Sequence, residues 1–120
     1  MPGFQDLKVW QGAKELAVEI YRITQQGPFS RDLGLRDQIR RAAVSVPSNV
    51  AEGDERGTNR EAVRFLYIAK GSLAELQTQL LIAHEIGYLD SSALQNLDEK
   101  CRILGRMLGR LIEARSKAIG

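Results

Sequence analysis

The sequence predicts an all-α fold, an antiparallel up-down-up-down four-helix bundle, on three observations. Four segments repeat apolar residues at spacings of three and four, the period of one helix face. Three short polar connections join them, and short connections make consecutive helices antiparallel neighbours. No run alternates apolar and polar residues with period two for long, so no strand pattern competes. The 120 residues, 1–120, suit one domain, large enough for a core without metals or disulfides. Hydrophobic residues make up 43% and aromatics only 6%, so that core is expected to be aliphatic.

The first helix is placed at about 7–25, with Asp6 as its predicted N-cap. Val9, Ala13, Leu16, Ile20 and Ile23 form its stripe, widened by Trp10, Ala17 and Tyr21, and Gly27-Pro28 stops it. The second, about 32–52, carries Leu35, Ile39, Ala42, Val46 and Val50, with Gly53 predicted as a left-handed C-cap. It also carries Pro47, whose ring removes a backbone hydrogen bond and clashes with the preceding turn at a cost of roughly 3 kcal/mol. A helix that tolerates this is held by its neighbours, and a kink is expected there. The third, about 59–87, opens on a T-x-x-E capping box, Thr58 and Glu61. Its stripe, Leu66, Ala69, Leu73, Leu76, Leu80 and Ala83, favours shallow left-handed crossings. The fourth, about 91–116, has Asp90, Ser91 and Ser92 as alternative caps, with Ser92 and Gln95 offering a second box. Leu94, Leu97, Cys101, Leu104, Leu108 and Leu111 form its stripe.

A formal charge of +2 and a pI near 8.9 are mildly basic. Cys101 is the only cysteine, which rules out an intrachain disulfide, and its stripe position predicts a buried, inert thiol. The N-terminal MPGFQDLKVW lacks a basic start followed by an apolar run, and no apolar stretch approaches the ~18 residues of a membrane span. A cytoplasmic location is expected. No Ser-His-Asp set, P-loop, GxGxxG, paired carboxylates or Glu-x-x-His pairs are present. His84, the sole histidine, lies beside Glu85 but has no second histidine or cysteine to share a metal, so a structural role is expected. These absences predict no catalytic residues, no cofactor, no metal and no enzyme.

Arginines carry the charge-bearing patterns. Arg56, Arg60 and Arg64 recur at i, i+4 and i+8 across the start of the third helix, where cations oppose the helix dipole by about 0.3–1 kcal/mol each. Charge placed against the dipole points to an anion such as phosphate; the alternative is pairing with Asp54, Glu55 and Glu61. Arg36, Arg40 and Arg41 form a second cluster on the second helix. Arg36 and Arg40 share a face beside Asp37, and Arg41 points elsewhere, towards phosphate or a neighbouring subunit's carboxylate. Arg102, Arg106 and Arg110 on the fourth helix complement its dipole and read as a solvated face.

Two polar lines interrupt the apolar pattern: Gln38, Ser45 and Asn49 with Ala42 on the second helix, and Ser72, Glu75 and Gln79 on the third. Buried polar groups need partners. The lines are expected to meet, within the bundle or across a subunit interface, with Ser45 or Asn49 serving the Ala43 carbonyl that Pro47 leaves unpaired. Gly71, Gly105 and Gly109 each cost about 1 kcal/mol relative to Ala, which close helix approach would explain.

The segments F-x-x-L-x-V-W (Phe4 to Trp10), Q-I-R-R-A-A-V-S-V-P-S-N-V-A-E-G (Gln38 to Gly53), F-L-Y-I-A-K-G-S-L-A-E-L (Phe65 to Leu76) and G-Y-L (Gly87 to Leu89) resemble the 23S rRNA intervening sequence proteins. The resemblance covers essentially the whole chain. Members of that family are encoded in inserts within bacterial 23S rRNA genes and at ordinary chromosomal loci. The resemblance implies a homopentamer of antiparallel four-helix bundles. It also implies kinship with the accessory protein of diversity-generating retroelements, which binds nucleic acid and works with a reverse transcriptase.

The combined expectation is a non-enzymatic helical oligomer that contacts RNA, DNA or a nucleic-acid-processing protein through Arg36, Arg40, Arg41, Arg56, Arg60 and Arg64, with no membrane partner. Such contacts would be weakly sequence-specific, because phosphates carry no base identity. The aromatic residues are too few and scattered for a base-stacking platform. The alternative is a scaffold docking an acidic protein without direct nucleic-acid binding.

Overall fold

The computed structural model describes residues 3–119. A 3-10 turn, Phe4–Asp6, leads into α1 (Lys8–Ile23), a short α2 (Gly27–Arg31), α3 (Leu33–Glu55), α4 (Asn59–Glu85) and α5 (Ser91–Ala118). All regular structure among the described residues is helical.

Helix starts follow side-chain capping wherever a carboxylate or hydroxyl is free to serve. Asp32 caps α3 by accepting from Leu35 N–H (3.1 Å), Thr58 caps α4 by accepting from Glu61 N–H (3.2 Å), and Asp90 caps α5 by accepting from Ala93 N–H (2.8 Å). Only one half of the predicted Thr58–Glu61 box forms, because the Glu61 carboxylate turns to Arg64 (3.7 Å). Asp6 is not the cap of α1. The Phe4 ring packs edge-on against Trp10 (5.2 Å), drawing Asp6 into the 3-10 turn, and Leu7 takes the cap position without a side-chain bond.

Two further sequence expectations are corrected. The connection at Gly27-Pro28 is itself a helical turn, α2, because Gly27 adopts φ +58° and a proline at a helix start loses no bond that helix could have made. α2 exists to bury Phe29, which is 1% exposed and lies 5.3 Å from the Tyr88 ring. Gly53 does not terminate its helix. α3 continues to Glu55, and Gly57 takes the left-handed position (φ +83°).

The α4–α5 turn closes through Gly87 (φ +90°), with Gly87 N–H on His84 O (3.0 Å) and Tyr88 N–H on Ala83 O (2.8 Å), the two bonds of a Schellman cap. His84 Nδ1 lies 2.9 Å from Leu89 O in the same turn, a structural use of the lone histidine. Tyr88 then donates to Asp32 Oδ2 (2.9 Å), tying this turn to the start of α3.

That bond raises the Tyr88 pKa above the ordinary 10.0, chiefly through the hydrogen bond and secondarily through burial. A folded-state pKa above the unfolded one means the tie is complete below about pH 10 and is lost as pH rises through the folded value. In an ultraviolet tyrosinate titration, Tyr88→Phe is therefore expected to remove a phenol that ionises above pH 10. Loss of one that ionises at or below that pH would contradict the assignment.

One apolar core draws on every helix. Ile20, Ile39, Leu76 and Leu108 are fully buried at its centre, and Phe29 is its only buried aromatic side chain. The predicted stripes of α3 and α4 face it as expected. On α5 the stripe drifts, so that Ile112 is buried and Leu111 only partly so. A straight helix of 3.6 residues per turn falls out of step with a 3.5-residue repeat, which accounts for the drift.

The molecule measures 48 × 20 × 19 Å. α3 packs on both α1 and α4, α4 on α5, and α5 closes more sparsely on α1. Within this frame the two polar lines meet at one point, Ser45 Oγ to Ser72 Oγ (2.8 Å). Asn49 donates to Ser45 O and Ser45 Oγ (2.8 and 2.9 Å), so neither Ser45 nor Asn49 serves the Ala43 carbonyl. Gln38 and Glu75 are exposed instead of joining the pair.

Candidate nucleic-acid interface

The two arginine clusters occupy different ends of α3, Arg40 and Arg56 being separated by sixteen residues, roughly 24 Å of helix rise. Their chemistry also differs.

At the first end, Arg36 donates to Asp37 (3.2 Å) and to Ser30 O (3.3 Å). Arg40 is held more firmly. Its Nε donates to Thr24 Oγ1 (2.8 Å), its Nη2 to Tyr21 O (3.5 Å), and its guanidinium lies 4.5 Å from the Tyr21 ring centroid. Thr24 is fully buried at the end of α1, and its hydroxyl also donates to Ile20 O (2.7 Å). Arg40 therefore serves the α1–α3 contact and keeps its remaining donors in a fixed orientation. Arg41 is exposed and makes no ion pair among the described residues.

At the second end, Arg56, Arg60 and Arg64 lie around the α3–α4 turn. The construction starts from Gly53. A Cβ there would stand 2.9 Å from Phe65 Cβ and 3.2 Å from Ala62 O, so only glycine lets α4 come this close. Phe65 is thereby seated against α3, and its ring receives the Arg56 guanidinium at 4.9 Å and that of Arg64 at 5.9 Å. Each arginine also faces one carboxylate, Arg56 to Glu52 (3.6 Å) and Arg64 to Glu61 (3.7 Å). Both contacts are exposed and longer than hydrogen bonds, the kind of surface pair worth about 0–1 kcal/mol. Arg60 is exposed with no ion pair among the described residues.

Asp54, predicted as a partner of this cluster, instead binds Arg115 of α5 (3.0 Å), which also reaches Asn59 Oδ1 (3.4 Å). Sequence reasoning missed Phe65, Thr24 and Arg115. Arg115 pairs with a residue 61 positions away, and no local pattern announces such a contact.

Elsewhere the chemistry is quiet. Arg102, Arg106 and Arg110 are exposed, and Arg102 pairs with Asp98 (2.7 Å). Burial pushes the Cys101 thiol up to about 12, assisted by nearby Asp98, so it stays protonated at neutral pH. No three metal-binding side chains gather among the described residues, and no helix among them is long and apolar enough to cross a membrane.

Residues 5–110 match the 23S rRNA-intervening sequence protein family. The chain belongs to that family. Its fold is also found in a crystal structure from Bacteroides thetaiotaomicron VPI-5482, described as a protein of unknown function from the S23 ribosomal protein family. The two superpose with a TM-score of 0.80 at 19% identity, over 87% of this chain and 97% of that one. At that identity the likeness concerns the fold. No curated protein matches the sequence. The family match spans the motif around Pro47, the Gly53–Phe65 contact and both arginine clusters of α3 and α4.

Proposed function

We propose that this member of the 23S rRNA-intervening sequence protein family is a non-enzymatic, ring-like homo-oligomer that associates with RNA or ribonucleoprotein through arginine–phosphate contacts. Its subunit is an antiparallel up-down-up-down bundle. Supporting that topology, the start of α3 lies beside the end of α4 (Asp32 with Tyr88), and the end of α3 lies beside the end of α5 (Asp54 with Arg115).

The observation that carries the nucleic-acid reading is the Arg56–Phe65–Arg64 arrangement with Arg60 alongside. Two guanidiniums are oriented by an aromatic ring, and only weak, exposed carboxylate contacts compete for them. A phosphate takes an arginine bidentately and displaces such pairs readily. Glu52, Asp54 and Glu55 precede these three arginines and Glu61 lies between them, and with Asp54 held by Arg115 the segment carries no net positive charge, so the attraction is confined to direct guanidinium–phosphate contact. Repetition of the cluster around a ring would multiply the number of such contacts available to one nucleic acid.

The test is fluorescence anisotropy of labelled structured RNA and duplex DNA against the purified full chain, across a salt series. Saturable binding that weakens steeply with salt is the expected result, because each phosphate contact releases counterions. Replacing Arg56, Arg60 and Arg64 together with Gln is expected to reduce the salt slope by up to about three contacts. Absence of binding at low salt would overturn the reading and favour an acidic protein as partner.

A further inference from the structure

Two surfaces of one copy match in length and differ in shape and charge. The first is a groove between α1 and α3. A hollow of about 300 Å³ is lined by Ala17, Val18, Tyr21, Val44 and Pro47, with Lys14 at its edge. It shares Tyr21 and Val44 with a second hollow of about 530 Å³ that adds Asp37, Arg40, Arg41 and Ser45. The groove is thus apolar along its floor, and at one end Arg40 and Arg41 outweigh the single carboxylate Asp37, which Arg36 already holds at 3.2 Å; Val18, Tyr21 and Val44 are each at least 40% exposed.

The second surface is the outward stripe of α4. Ile68, Glu75, Ile82 and Ile86 fall on one line of the helix, and the three isoleucines are 43–52% exposed. Glu75 is exposed and makes no ion pair among the described residues. Gly71 lies on the same side, between Ile68 and Glu75. A Cβ there would meet nothing within 4 Å, so no contact inside the chain requires glycine. Its missing side chain leaves the stripe low at this point and gives another backbone room to approach from outside.

We infer that the α4 stripe of one copy seats in the α1–α3 groove of the next, with the Glu75 carboxylate against Arg40 and Arg41. This rests on the homo-oligomer proposed above and assigns its contact. From Arg41 to Pro47 along α3 is about 9 Å, and from Glu75 to Ile82 along α4 is about 10.5 Å, so the carboxylate reaches the arginines while an isoleucine covers the apolar floor. Arg40 is already fixed by Thr24 and Tyr21 and loses little freedom on pairing. A nucleic acid offers no apolar stripe for this floor, whereas a second copy offers one with its charge in register. Donor and acceptor surfaces are different, so the contact is heterologous, and heterologous contacts that close make rings. Arg40 and Arg41 then belong to the contact between copies, and Arg56, Arg60 and Arg64 remain for phosphate.

The test is the solution mass of the full chain by size exclusion with light scattering over a concentration series. Four variants accompany the wild type: Glu75→Arg, Arg41→Glu, the two combined, and Gly71→Leu. Circular dichroism checks that each stays helical, as exposed positions allow. A multimeric wild type is expected. Each single reversal should raise the concentration needed for assembly at least about tenfold, since like charges facing each other across an interface are strongly disfavoured. The combined reversal should restore the mass, and Gly71→Leu should block assembly. A multimer indifferent to all three single changes would overturn this interface and leave the homo-oligomer standing. Single reversals that break assembly without rescue by the pair would overturn the Glu75–Arg41 contact. A monomeric wild type at every concentration would overturn both readings.

Discussion

Leu76→Ala is expected to lower the unfolding free energy by about 2–5 kcal/mol, a large share of the 5–15 kcal/mol typical of such domains. Leu76 is fully buried at the centre of the core. The loss combines the transfer energy of the deleted carbons with the cavity they leave, and this core is poorly equipped to close a cavity. Apart from Phe29, its large side chains are branched aliphatics separated by alanines such as Ala42, Ala69 and Ala83. Its one flexible filler, Met107, lies at the periphery and is only partly buried. Urea unfolding at fixed protein concentration should show a lower midpoint with an unchanged slope. Ile82→Ala, on the same helix but 45% exposed, supplies the contrast. In a Glu75→Arg background, chosen to remove the proposed assembly, it should change stability by no more than about 0.5 kcal/mol. A loss below about 1 kcal/mol for Leu76→Ala would mean that α4 does not present this face to the core.

The four long helices and most of their buried positions were legible because periodicity is a local signal and burial enforces it, although Ala43, Ala62 and Ile112 lie outside the predicted stripes and Tyr21, placed on one, is exposed. Val9, Ile39, Leu73 and Leu104 could be assigned without knowing what they touch. The departures occur where a side-chain packing contact outbids a local preference. Asp6 is a good cap by type, yet the Phe4–Trp10 packing sets the entry of α1. Gly53 is a good terminator by type, yet Phe65 makes it an interior residue. The arginines themselves were visible, since their spacing is local. How they divide was not, because Thr24 and Tyr21 hold Arg40 from 16 and 19 residues away and Phe65 reaches Arg56 across the helix junction. Charge patterning locates candidates, and only the packing shows which guanidiniums are already committed to the fold.

Gly53→Ala should be destabilising although it improves helix propensity, and the magnitudes decide the sign. Removing an interior glycine gains about 1 kcal/mol. Against this, the new methyl carbon would stand 2.9 Å from Phe65 Cβ and 3.2 Å from Ala62 O, and neither is the free end of a flexible side chain. α4 itself must move, and overpacking of this kind costs about 1–3 kcal/mol. The net expectation is a loss of up to about 2 kcal/mol for Gly53→Ala, and a greater loss for Gly53→Val, which adds two methyl groups to the same crowded Cβ. Gly109→Ala is the control: a Cβ there meets nothing within 4 Å, so the propensity gain should appear undiminished as up to about 1 kcal/mol of added stability. The Gly53 variants carry a second readout. Displacing Phe65 removes the ring that orients Arg56 and Arg64, so on the proposed phosphate-binding reading RNA affinity at low salt should fall even under conditions where the variant is fully folded. If Gly53→Ala were as stabilising as Gly109→Ala, the close approach of α3 and α4 at this end would be refuted, and the support for the arginine platform would go with it.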